Sequence, residues 1–266
     1  MNWKLDILEK IVRDKRIEVA SKKAAMPLSY LVTSPLMERE VYSLSTSVVS
    51  GSGIIAEYKR RSPSRQMINQ KDSVVEVVSD YQMAGVSGVS VLTDTKYFGG
   101  SLDDLIQARA HLKIPLLRKE FIIDPYQIYE SRAFGADAIL LIAAVLEREE
   151  LMVLAQLAHQ LGLEVLLELH SEEELKRSDL DHVDLVGVNN RNLKTFEVSL
   201  SSSKLLAPLI PDDKVKISES GISSINAIRE LKQYGYKGFL IGENFMRSDN
   251  PGGSAVEFIN ALDDAS

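Results

Sequence analysis

Residues 136–169 run ADAILLIAAVLEREELMVLAQLAHQLGLEVLLEL, and their pattern decides the fold. The stretch opens on an apolar run at 136–142, passes through a helix-length amphipathic segment at 147–161, and closes on a second apolar run at 164–169. Ile139, Leu140, Leu141 and Ile142 follow one another without alternation, as suits a strand covered on both faces. A strand, a helix and a strand in that order return the chain to the same edge of a sheet, so the strands pair in parallel.

The same unit extends in both directions. Strand-like segments stand at 54–59, 89–93, 115–119, 185–189, 214–218 and 238–242, with further helical patterns at 103–112, 224–234 and 255–262. Eight strands alternating with helices predict an α/β protein of the (β/α)8 TIM-barrel class, and the 266 residues are close to the ~250 typical of that architecture. A doubly wound open sheet competes, but eight units fill nearly the whole chain and no Gly-x-Gly-x-x-Gly turn follows the first strand. One domain is expected over 1–266, with 1–48 as an N-terminal helical extension. In that extension Leu5, Leu8, Val12 and Val19 fall roughly on one helical face, and Pro27 ends or interrupts the helix. The Ser-, Thr- and Gly-rich stretch 43–53 has no helical period and is expected to be a connector.

Composition narrows the partners. Hydrophobic residues at 45% and charged residues at 26% are ordinary for a soluble globular chain. A net charge of −7 argues against a nucleic-acid surface while leaving room for a local basic pocket. With no cysteine, disulfides and thiolate metal sites are excluded. No run approaches the ~18 consecutive apolar residues of a membrane span, and charges interrupt the N-terminus too often for a signal peptide. A cytoplasmic location is expected by default. His111, His159, His170 and His182 are scattered without ligand spacing, so no metal is expected, and His170 is taken as a surface or supporting group beside Glu168. No Gly-x-Ser-x-Gly elbow is present.

Barrels of this class carry function at the C-terminal ends of their strands, and unexpected polar residues collect there. The first strand ends in Glu57-Tyr58-Lys59, where a period of two puts Glu57 and Lys59 on one face and Tyr58 on the other. Lys119 closes the third strand and Glu168 interrupts the apolar fifth. Asn189-Asn190-Arg191, Ser218-Glu219-Ser220-Gly221 and Gly242-Glu243-Asn244 end the last three. Two lysines and two glutamates at barrel-facing positions need one another as partners, and such clusters tune proton affinity for acid–base work. Ser220-Gly221 and Gly242 permit close approach of backbone N–H groups to an anion, in the loops where barrel phosphate sites are frequently built.

Several of these segments together resemble indole-3-glycerol phosphate synthase. They are 55–64 (IAEYKRRSPS), 91–94 (VLTD), 98–101 (FGGS), 117–124 (LRKEFIID), 135–142 (GADAILLI), 187–193 (GVNNRNL) and 218–222 (SESGI), in family order. The resemblance implies a tryptophan-biosynthetic carboxy-lyase that closes the pyrrole ring of 1-(2-carboxyphenylamino)-1-deoxyribulose 5-phosphate with loss of carbon dioxide and water, without cofactor or metal. By it, Lys119 would be the general acid, and Glu168 the base or the stabiliser of positive charge on nitrogen. Glu57 would hold and polarise Lys119 and share in proton transfer. Lys59 would meet the substrate carboxylate or phosphate, with the acid role in one of the two steps as the alternative. Asn189 would bond substrate hydroxyls. Ser220, Gly221, Gly242 and Glu243 would take the phosphate, mainly through backbone groups, with Ser62 and Arg191 alongside. Pro63, Phe98, Phe121, Leu140 and Phe196 would wall the anthranilate ring.

The resemblance also implies that the N-terminal helix covers the barrel mouth. It has departures. Glu120 stands where Asp is usual, and because its side chain should point away from the barrel the exchange is expected to have little effect. Gln66 replaces a common glycine, and Asn244-Phe245 replaces Ser-Leu at the phosphate end. The expected partner is a small phosphorylated substrate, met by a monomer. Another phosphate-binding barrel, such as phosphoribosylanthranilate isomerase, would need a cysteine that the chain lacks. An inactive scaffold paralogue would have lost catalytic side chains, whereas Glu57, Lys59, Lys119 and Glu168 are all present.

Overall fold

The computed structural model describes residues 6–192 and 195–263. Eight parallel strands close in sequence order into a barrel, with the last hydrogen-bonded to the first. They are β1 (Ile54–Tyr58), β2 (Gly88–Leu92), β3 (Leu116–Lys119), β4 (Ala138–Ile142), β5 (Glu164–Leu169), β6 (Leu185–Asn189), β7 (Val215–Glu219) and β8 (Gly238–Ile241). Each lies within two residues of its expected place. Before the barrel come α1 (Ile7–Ala25), the single turn α2 (Leu28–Leu31) and α3 (Leu44–Ser50). Around it run α4 (Val74–Met83), α5 (Thr95–Phe98), α6 (Leu102–His111), α7 (Pro125–Ala133), α8 (Arg148–Gln160), α9 (Glu172–Arg177), α10 (Ser201–Leu206), α11 (Ile225–Lys232), α12 (Glu243–Met246) and α13 (Pro251–Asp263). Ser73, Ser101, Asp124, Ser171 and Ser224 cap helices that follow strands, each side chain accepting from a first-turn N–H that has no partner within the helix. Among the described residues, no helix is long and apolar enough to cross a membrane.

The unbroken apolar runs have a simple cause. Ile139, Leu141, Val165 and Leu167 pack outward against the helices, while Leu140, Ile142 and Leu166 fill the lumen with Ile55, Leu117, Leu185, Ile217 and Leu240. Both faces of every strand are buried, so no polar alternation survives.

The stretch expected to be a connector contains α3 instead. Leu44 and Val48 join the lumen cluster, and the Glu164 carboxylate at the start of β5 accepts from Ser43 Oγ (2.6 Å) and the Ser45 N–H (2.8 Å). The helix therefore plugs the N-terminal end of the barrel and leaves the opposite mouth open. Its buried stripe is a single i, i+4 pair, too short for a period to register against the serines. The expected extension boundary at residue 48 falls inside this helix.

Helix α1 also differs from its expected face. Its buried side chains are Ile11, Lys15 and Val19; Leu8 and Val12 are partly covered, and Leu5 lies outside the described residues. Lys15, only 1% exposed, replaces the apolar residue that position calls for. Its ammonium meets Asp94 Oδ2 (2.9 Å), Glu120 Oε1 (3.0 Å) and Glu18 Oε2 (2.7 Å). Glu120 does point away from the lumen, yet it is fully buried and accepts from Thr93 Oγ1 at 2.7 Å. It is an anchor of α1. A charge desolvated this far persists only with partners in contact, and these carboxylates hold the Lys15 ammonium well above its usual range despite burial.

Removing one partner of a buried ion pair commonly costs about 3–5 kcal/mol, because the other charges stay buried without it. Lys15→Met is therefore expected to lower the opening free energy of α1 amides by about 3 kcal/mol in hydrogen exchange. The β4 and β5 amides should hold their protection. Unchanged protection of α1 would show that the Lys15 cluster does not anchor it.

Candidate active site

The barrel period of two places Glu57, Lys119, Glu168, Asn189 and Glu219 inward, one layer above the apolar lumen residues Ile55, Leu117, Leu166 and Ile217. Strand register sets their heights. Asn189 pairs with Glu219, and Glu168 lies between Ile142 and Gly187. Above this floor opens a cavity of about 630 Å³, within the range of small-molecule sites. Every residue singled out in the sequence lines it: Glu57, Lys59, Lys119, Glu168 and Asn189 at the floor, Ser62, Arg191, Ser220, Gly221, Gly242 and Glu243 toward β7 and β8, and Pro63, Phe98, Phe121, Leu140 and Phe196. Ile7, Leu8 and Ile11 of α1 line it from outside the barrel, with Leu8 capped by Asp6.

Lys119 is held by two carboxylates. Its Nζ donates to Glu168 Oε2 at 3.1 Å and to Glu219 Oε2. Glu57, expected to hold this lysine, instead accepts from Lys59 Nζ at 2.5 Å and acts on Lys119 only through its charge. The direct partner, Glu219, was not singled out in the sequence. Its signal was available, since it lies two residues beyond the lumen-facing Ile217, as Glu57 lies two beyond Ile55.

Two glycines make room for this crowding. A Cβ at Gly187 would stand 2.2 Å from Glu219 Oε1, and one at Gly242 would stand 2.5 Å from Glu57 Oε1. Three buried carboxylates thus share two ammonium groups, and the imbalance separates the proton affinities of Glu168 and Glu219. Burial pushes Glu168 up, but Lys119, His170 and the Asn189 amide outweigh it and bring its carboxyl down to about 2. For Glu219, burial and the neighbouring Glu168 and Glu57 charges win over Lys119 and push it up to about 7. Burial disfavours the Lys119 ammonium, yet the surrounding carboxylates hold it charged well beyond its usual range. One carboxylate fixed as an anion and one poised near neutrality is the division that acid–base chemistry requires.

His170 sits behind Glu168, its Nε2 3.6 Å from Glu168 Oε1 and its Nδ1 3.6 Å from Glu174 Oε2. Burial opposes its protonation, but Glu174 and Glu168 raise its proton affinity above the usual value. Among the described residues, no group of three metal-ligating side chains converges on a common point.

The cavity wall opposite Phe98 and Phe121, whose rings lie 5.9 Å apart, is basic. Glu243 is approached by Arg65 (3.0 Å), Arg191 (3.5 Å) and Arg247 (4.0 Å), leaving an excess of positive charge around it. Beside it the chain turns through Ser220 (φ 66°) and Gly221 (φ 77°). The left-handed region disfavours a side chain such as serine's by roughly 1–2 kcal/mol, and a Cβ at Gly221 would also meet Val198 Cγ1 at 2.4 Å. Asn189 Oδ1 accepts from the Arg191 N–H (3.0 Å), while its amide bonds the Glu168 carboxylate. Phe245, grouped by sequence with the phosphate end, faces the other way and packs on Tyr81 and Phe258, whereas Asn244 lines the cavity. Gln66 is exposed, beyond the tight turn closed by Ser62 and Arg65. Leu193, part of the motif at 187–193, lies outside the described residues.

The chain matches the family model described as indole-3-glycerol phosphate synthase over residues 8–258. It is 46% identical over 258 residues to the indole-3-glycerol phosphate synthase of Bacteroides thetaiotaomicron, an alignment covering 97% of this chain and 99% of that protein. It is 44% identical over 250 residues to the enzyme of the same name from Neisseria meningitidis serogroup B, covering 92% of this chain and 96% of the relative. Among solved structures, thiamine phosphate pyrophosphorylase from Pyrococcus furiosus superposes with a TM-score of 0.61 at 13% identity, over 84% of this chain and 98% of that one. That likeness is one of fold.

A native Glu219 that keeps its proton to about pH 7, against an ordinary value of 4.5, gives the folded state the higher proton occupancy between those values. Unfolding free energy should then fall as pH rises through that window. Glu219→Gln, which cannot titrate, is expected to flatten the fall in urea titrations taken across it. A slope identical to that of the parent chain would mean that Glu219 does not titrate there.

Proposed function

The chain belongs to the indole-3-glycerol phosphate synthase family, and from that premise we propose how its own residues divide the work. The family's carboxy-lyase reaction belongs to tryptophan biosynthesis and joins the carboxylate-bearing aromatic carbon of the substrate to its ketone carbon. Carbon dioxide leaves to restore the aromatic ring, and water is then lost. Two stages need an acid: the ketone oxygen must gain a proton as the new bond forms, and the resulting hydroxyl must be protonated to leave. A base takes the ring methylene proton in the second stage.

Lys119 delivers the first proton. Held charged by Glu168 and Glu219, it releases a proton only to an oxygen turning into an alkoxide, so transfer is tied to bond formation. Glu168, anionic throughout, balances the positive charge that develops on the substrate nitrogen. Glu219, poised near neutrality, returns the proton to Lys119. Lys59 and Glu57 form a second acid–base pair across the cavity and serve the dehydration. Asn189 holds the substrate hydroxyls. The phosphate lies at the Ser220–Gly221 turn under the basic wall, with Arg191, Ser62, Gly242 and Glu243 alongside. Pro63, Phe98, Phe121, Leu140 and Phe196 enclose the anthranilate ring and exclude water, which strengthens every charged contact inside. The observation that carries this reading is the buried Lys119 ammonium shared by Glu168 and Glu219 at the floor of a cavity with an apolar wall and a basic one. The same reading has the chain working as a cytoplasmic monomer on a small phosphorylated substrate.

Incubation of the purified chain with the carboxyphenylamino-deoxyribulose phosphate, followed by indole fluorescence and carbon dioxide release, tests it. Lys119→Ala is expected to lower kcat by roughly two to four orders of magnitude, as removal of a positioned acid does. Glu219→Gln should lower kcat more than it changes KM. A folded parent chain that forms no product would overturn the assignment of roles, and an active Lys119→Ala would move the acid elsewhere.

A further inference from the structure

Asn189 and Asn190 face opposite ways at the end of β6. Asn189 lines the cavity, whereas Asn190 is 2% exposed and lies behind the wall between β6, α10 and β7. Nothing in the catalytic scheme uses it, yet its side chain is saturated with hydrogen bonds. The two hydrogens of its Nδ2 are shared among Ser218 Oγ (2.9 Å), the Glu219 carbonyl (3.0 Å) and the Ser220 carbonyl (3.1 Å). Its Oδ1 accepts from the Ser203 N–H (3.2 Å) and hydroxyl (2.8 Å), which ties it to α10. Its own backbone N–H donates to the Glu219 carbonyl at 2.9 Å.

Two of these acceptors are consecutive carbonyls leading into the left-handed turn. In a trans peptide the N–H points opposite to the carbonyl of the same unit. Drawing the Glu219 carbonyl back toward Asn190 turns the Ser220 N–H away from it, and drawing back the Ser220 carbonyl does the same for the Gly221 N–H. Ser220 and Gly221 line the cavity, so the side opposite Asn190 is the side that receives the ligand. The clamp also explains how a serine is kept at a φ of 66°, a conformation that persists only where its surroundings over-determine it.

We propose that Asn190 is the positioning residue that aims the Ser220 and Gly221 N–H groups at the substrate phosphate. The proposal rests on the phosphate lying at that turn. It predicts a defect confined to the phosphorylated end of the substrate, which a general packing role would not produce.

The test measures kcat and KM for the phosphorylated substrate and its dephosphorylated analogue, with inorganic phosphate as a competitive inhibitor. Asn190→Ala is expected to raise KM for the phosphorylated substrate about tenfold or more, as misaimed hydrogen bonds to a charged group do, and to weaken phosphate inhibition in step. kcat should move less than about threefold, and so should kcat/KM for the analogue. Asn190→Ser, which keeps one donor, should fall between. Equal losses on both substrates, or an unchanged KM, would overturn the proposal. Gly221→Ala separates it from the phosphate reading beneath it. If Gly221→Ala leaves phosphate inhibition intact, that reading fails. If it weakens inhibition and Asn190→Ala does not, only the role of Asn190 fails. Should Asn190→Ala not fold, Ser203→Ala decides, since it removes a hydroxyl that holds Asn190 and lies outside the cavity. A smaller KM rise on the phosphorylated substrate alone supports the proposal, and none refutes it.

Discussion

An ammonium group removed from water must find carboxylates within contact distance, and that requirement organises both sides of β3. Its last residue, Lys119, points into the lumen and is met by Glu168 from β5 and Glu219 from β7. The next residue, Glu120, points outward and meets Lys15 of α1. Two adjacent side chains therefore join opposite structures: one assembles the cavity floor, and the other secures the helix whose Ile7, Leu8 and Ile11 complete the cavity. Placement of Lys119 and attachment of that helix share one short piece of backbone.

The floor is possible because small residues stand where the strand period would otherwise place side chains. Gly187 and Gly242 leave space into which Glu219 and Glu57 lean. The carboxylates consequently outnumber the lysines among them, and their proton affinities part, Glu168 falling and Glu219 rising. At the rim the imbalance reverses, since Arg65, Arg191 and Arg247 surround the single Glu243. The site thus carries its excess of carboxylates at the floor and its excess of guanidinium groups at the rim.

Eight strands were legible in the sequence because each is buried on both faces, and an unbroken apolar run of strand length between helical patterns marks a strand covered from both sides. Helix α3 was not legible: its single buried pair, Leu44 and Val48, gains meaning only from the barrel end that it plugs. The burial of Lys15 was not legible either, because its partners Asp94 and Glu120 come from distant parts of the chain. The inward polar residues were visible as breaks in apolar strands. Glu219 had the same spacing but sat in a run of polar residues that hid it.

By itself the sequence determined the local order of strands and helices, the parallel pairing that order imposes, the family, and the residue types at the barrel mouth. These follow from period, composition and motif, all carried by neighbours along the chain. Only the tertiary structure decided which lysine each glutamate holds, that Glu57 belongs to Lys59 and Glu219 to Lys119, and that Asn190 stands behind the turn it shapes. Barrel closure brings together strands far apart in sequence, and the strength of an ion pair depends on distance and burial, neither of which is written in residue order.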